Sequence, residues 1–91
     1  MADYSEQINQ LAGIVTKEFT NQKNGSKLNV HFHNFWSKAK KVFSDELNSS
    51  IELNPAAPET TEALKNDLAE KFENQRFLAH FAMFVNQYER G

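Results

Sequence analysis

A chain of 91 residues has room for one small domain, which buries about 60–65% of the surface its unfolded form exposes, so its core must be compact or shared with a partner. With 40% hydrophobic and 12% aromatic residues against 24% charged, the composition argues for a packed core rather than disorder. A net charge of −2 singles out no electrostatic partner, and the lack of Cys excludes a disulfide framework, a zinc-thiolate centre and a cysteine nucleophile. The charge is uneven: residues 1–25 sum to −1, 26–48 to +2 and 49–91 to −3.

The N-terminal Met-Ala-Asp-Tyr-Ser-Glu lacks the basic and apolar regions of a secretory signal, and no apolar run approaches the roughly 18 residues needed to span a bilayer. A cytoplasmic location with no membrane contact is the expectation. Tyr4, Ile8, Leu11, Ala12, Val15 and Phe19 fall on one helical stripe, predicting a helix over about 4–21, with Asp3 and Glu6 as a capping box. Asn24 or Gly25 supplies the left-handed residue that ends it.

Ser26 can cap a second helix over about 27–48, whose apolar positions Leu28, Phe32, Phe35, Trp36, Ala39, Val42, Phe43 and Leu47 repeat at helical spacing. A β-hairpin around Asn24-Gly25 competes, since Leu28, Val30 and Phe32 alternate with polar residues, but alternation fails at Phe35-Trp36. Residues 49–58 read as an extended connection with Ile51 and Leu53 tucked inward. Pro58 suits the first turn of a last helix over about 58–89, which Glu59 and Glu62 favour at the positive end of its dipole. The polar run Glu73-Asn74-Gln75-Arg76 marks a place where that helix can bend or break. The expected fold is therefore all-α, a single domain over 1–91 forming a three-helix bundle, or four helices if the last one breaks near Asn74.

On a continuous last helix, Leu64, Leu68, Phe72, Ala79, Ala82 and Val85, with Leu78 beside them, form the core stripe. A second stripe, about 120° or more around the axis, carries Glu59, Glu62, Glu70 and Glu73 and continues as Phe77, Phe81, Phe84 and Tyr88. One amphipathic helix needs one apolar stripe, so the expectation is that Phe77, Phe81, Phe84 and Tyr88 meet a protein partner, most simply a second copy of the chain. The competing account is a bend near Asn74 that buries both stripes within the chain.

The second helix also presents Lys27, His31, Asn34, Lys38 and Lys41 at helical spacing, a face that could follow a phosphate backbone. Asp45 ends that stripe and no Arg stands on it, so nucleic-acid binding through Lys27, His31, Lys38 and Lys41 is the alternative to protein binding. His31 and His33 diverge by about 200° on a helix and cannot easily share a metal ion. No glycine-rich phosphate loop, nucleophile elbow or two-histidine zinc helix occurs, so no cofactor, metal or catalytic residue is implied. The sequence reads as a non-catalytic protein-interaction module, an adaptor, inhibitor or small assembly subunit that self-associates through its last helix.

Overall fold

The computed structural model of the chain describes residues 3–90. They form five α-helices, α1 (Ser5–Lys23), α2 (Val30–Ala39), α3 (Asp45–Leu53), α4 (Pro58–Lys71) and α5 (Gln75–Arg90), with a 3-10 turn at Lys40–Val42 and no strand among the described residues. No described helix is long and apolar enough to cross a membrane.

The ends of α1 show how local chemistry sets the boundaries. Asp3 accepts hydrogen bonds from the hydroxyl and the backbone N–H of Ser5, which hold its carboxyl below the usual range, and no capping box forms with Glu6. At the other end Gly25 takes φ +98°, the Gly25 N–H donates to the Gln22 carbonyl and the Ser26 N–H to the Asn21 carbonyl. That pair of bonds is the Schellman arrangement, and it satisfies carbonyls that the helix leaves open.

The helix expected over 27–48 divides. Residues 26–29 lie outside any helix, and Asn29 rather than Ser26 caps α2, its Oδ1 accepting from the N–H groups of His31 (2.8 Å) and Phe32 (3.3 Å). Neither strand of the alternative hairpin is present. After the 3-10 turn Phe43 is extended (φ −101°, ψ 156°), and the Ser44 hydroxyl accepts from the Leu47 N–H at 3.1 Å to start α3, with Asp45 and Glu46 in its first turn. The side chain of Asn48 returns to the Lys40 carbonyl at 2.9 Å and fastens the corner. Residues 49–53, expected as extended chain, continue α3. Ile51 is buried as expected, whereas Leu53 is 65% exposed.

The last helix breaks where its polar run stands. Phe72 through Asn74 form a turn, and the Asn74 side chain accepts from the N–H groups of Arg76 (2.8 Å) and Phe77 (3.3 Å), capping α5. The break resets the helical phase. On one continuous helix Phe72 and Phe77 would lie about 140° apart, yet their rings meet edge to face at 5.3 Å. The stripe Leu64, Leu68, Phe72 therefore continues as Phe77, Phe81, Phe84, while Ala79 and Ala82, expected in the core, are exposed.

Helix α1 packs chiefly on α4 and α2 on α5, and α3 closes against α4 and α1. Between the two pairs lies an aromatic cluster that holds all eight Phe and Trp36. Phe35 and Phe84 stack at 4.5 Å, Trp36 and Phe43 at 5.5 Å, and Phe72 meets Phe81 edge to face at 5.1 Å.

One charged residue enters this interior. Glu18, on α1, is 6% exposed. Its Oε1 accepts from the Asn29 N–H at 2.8 Å and its Oε2 from the Tyr88 hydroxyl at 2.7 Å, so one carboxylate joins α1, the start of α2 and the end of α5. The positive end of the α2 dipole faces the same carboxylate. Burial, then the hydrogen bond to Glu18 and its negative charge, push the Tyr88 hydroxyl up to about 12.

Replacing Glu18 by Ala strands a backbone N–H and a phenol, and is expected to cost about 2–4 kcal/mol in denaturant unfolding at neutral pH. The Tyr88 effect has a definite sign. The folded chain holds the phenolic proton more tightly than the unfolded chain, whose Tyr titrates near 10, so stability is full below pH 10 and falls as pH rises through about 12. Tyr88→Phe is expected to lie about 1.5 kcal/mol below wild type at pH 8, a gap that closes between pH 10 and 12. A gap that stays constant over that range rules out the linkage.

Candidate interaction surfaces

The residues expected to meet a partner are the centre of the fold. Phe77, Phe81 and Phe84 are buried inside one chain, where they touch Phe35, Phe72 and one another. Tyr88 is half-buried, its ring 5.2 Å from Phe84 and its hydroxyl on Glu18. The aromatic excess that suggested a second copy is absorbed by the chain's own core, because the turn at Phe72–Asn74 rotates both aromatic runs onto one face.

The basic stripe is also rearranged. Lys27 lies in the connection before α2 and Lys41 in the 3-10 turn, leaving His31 and Lys38 on α2 itself. The regular helical face spanning all four residues is not formed. Lys38 lies near His80 of α5, whose ring packs at 4.9 Å against Phe35; burial and then the Lys38 charge lower the His80 pKa. Among the described residues, no three or more His, Cys, Asp or Glu side chains gather where they could hold a metal ion.

The large apolar side chains left in water are Val30, Val42, Leu53 and Met83, each at least 50% exposed. Leu53 lines one of two adjoining hollows. Helices α1 and α4 enclose a groove of about 580 Å³ whose walls include Ala12, Gly13, Thr16 and Thr61. It runs into a second hollow of about 410 Å³ bounded by Leu53, Pro55, Ala56 and Ala57, and Thr20 and Ala56 line both. The buried hydroxyl of Thr20 has no hydrogen-bond partner within the chain. A Cβ built on Gly13 meets nothing within 4 Å, so the glycine leaves open space in the groove.

Charge separates this groove from its neighbour across α4. Lys17, Lys23 and Lys65 stand on its walls, and no Asp or Glu does. The hollow between α3 and α4, about 610 Å³, instead gathers Glu46, Asp67 and Glu70 against Lys71, which pairs with Asp67 at 3.3 Å. Sequence reading missed the basic groove because its three lysines lie 6 and 42 residues apart in the chain with no shared periodicity. The small residues Ala12, Gly13 and Thr16 on one side of α1 were the available signal. Protein-family models, characterised proteins and solved structures yield no match to this chain.

The different settings of the α5 side chains give contrasting expectations. Phe81→Asp places an unpaired carboxylate in the aromatic cluster and is expected to abolish cooperative unfolding monitored by near-ultraviolet circular dichroism. Met83→Asp, at a side chain 67% exposed, is expected to change stability by less than about 0.5 kcal/mol. A folded Phe81→Asp chain with altered association would return the aromatic face to the role of an interface.

Proposed function

We propose that this chain is a non-catalytic protein-binding module that seats a helix of its partner in the groove between α1 and α4. The observation that carries the reading is a pair of adjoining hollows that share Thr20 and Ala56, the first lined by α1 residues from Asn9 to Asn21 and the second by Lys23 and the exposed Leu53. Small side chains permit a helix backbone to approach closely, and an apolar floor with a polar rim is the form taken by helix-in-groove recognition. Fourteen helical steps from residue 9 to residue 23 give a length of about 21 Å, enough for about four turns of a bound helix.

The reading departs from self-association through Phe77, Phe81, Phe84 and Tyr88, which serve the interior, and from a nucleic-acid face on Lys27, His31, Lys38 and Lys41, which do not share one regular helical surface. It keeps the expectation of a binding protein and moves the surface.

Gly13 provides the test. Gly13→Leu fills the groove without meeting other atoms at its Cβ and raises helix propensity, so it is expected to stabilise the fold by about 0.5–1 kcal/mol. Fourteen-residue amphipathic helices selected from a displayed library on the wild-type chain are expected to lose binding to Gly13→Leu. They should perturb backbone amide signals of residues 9–23 and 61–65 in nuclear magnetic resonance spectra. Ligands that bind both chains equally, or that perturb α2 and α5 alone, would falsify the assignment of the groove.

A further inference from the structure

We infer that the occupant of the α1–α4 groove is an acidic amphipathic helix, an inference that rests on reading the groove as a partner site. The chain carries 12 acidic against 10 basic side chains, so a surface without carboxylates is against its overall balance. Yet the groove walls hold Lys17 and Lys23 from α1, Lys65 from α4, and no acid. The acidic side chain nearest in sequence to Lys17 is Glu18, and it is turned into the core and committed to Asn29 and Tyr88.

The three cations are distributed along the groove rather than clustered. Lys17 stands on the α1 wall and Lys65 on the α4 wall, and Lys23 is held at one end by its bond to the Leu53 carbonyl. Neither Lys17 nor Lys65 makes an ion pair among the described residues. A helix lying along the floor with its apolar stripe on Gly13 and Ala56 brings its flanks toward these ammonium groups. Carboxylates on those flanks are favoured; ammonium groups are repelled.

A chain of phosphates would satisfy the lysines but not the floor. The groove offers no exposed aromatic on which bases could stack: its lining contains no Phe, Tyr or Trp. Gly13, Leu53, Ala56 and Ala57 offer apolar surface that a peptide helix can cover.

Three 14-residue helical peptides with one common Leu/Ala stripe, and with Glu, Gln or Lys on both flanks, decide the matter by isothermal titration against the full chain at 50 mM and 500 mM salt. The acidic peptide is expected to bind at least tenfold more tightly than the neutral one at low salt, with the basic one weakest and the spread narrowing at high salt. Lys17→Glu/Lys65→Glu, two exposed or rim positions whose circular dichroism should match wild type, is expected to reverse the order. If all three peptides bind alike and Gly13→Leu abolishes them, the groove reading stands and the acidic occupant is overturned. If none binds, both fall. A 14-nucleotide oligouridine that binds with the same lysine dependence, where the acidic peptide does not, also overturns the inference.

Discussion

Glu18 is the point on which the arrangement of the helices depends. A carboxylate removed from water is tolerated only where hydrogen bonds replace its hydration, and here a backbone N–H and a phenol do so. The N–H belongs to Asn29, the residue that caps α2, so the carboxylate and the amide side chain of Asn29 together fix where α2 begins and how it leaves α1. The phenol belongs to Tyr88, three turns into α5. Packing of α2 on α5 thus starts from two ends tied to one residue of α1, and the aromatic cluster fills the space so defined. Hydrophobic burial supplies the drive to fold; the buried carboxylate ties α1 to the start of α2 and the end of α5.

Fold class and the face of α1 were legible in the sequence because a single uninterrupted helix carries its own phase: Leu11, Ala12, Val15 and Phe19 are all buried. Failure came where a hydrophobic stripe ran across a break. Leu28 to Leu47 can be drawn as one helical face, but Ser44 followed by Asp45 and Glu46 is also a helix start, and the local hydrogen bond to Leu47 prevails. Val42 shows the outcome: at a periodic core position by count, it is 50% exposed. Periodicity measured through a corner assigns faces to the wrong side.

The groove was less legible than the fold for a related reason. A core stripe is written on one helix, whereas a groove is written on two helices and a connection, and nothing in the order of residues says that Lys17 and Lys65 line one hollow. Glu18 was illegible too. An isolated glutamate on an amphipathic helix reads as solvated, and its partners Asn29 and Tyr88 lie 11 and 70 residues away.

The turn at Phe72–Asn74 carries a constraint of another kind. Connections between surface helices usually absorb insertions and deletions freely. This one sets the rotation between two faces that share one core, so a residue added as a helical step at the end of α4 or the start of α5 turns the later face by about 100°. Phe77, Phe81 and Phe84 would swing toward water, with His80 and Met83 moving in. Chain length at this exposed corner is therefore held as tightly as the identity of a core residue, although no side chain there except Phe72 is buried.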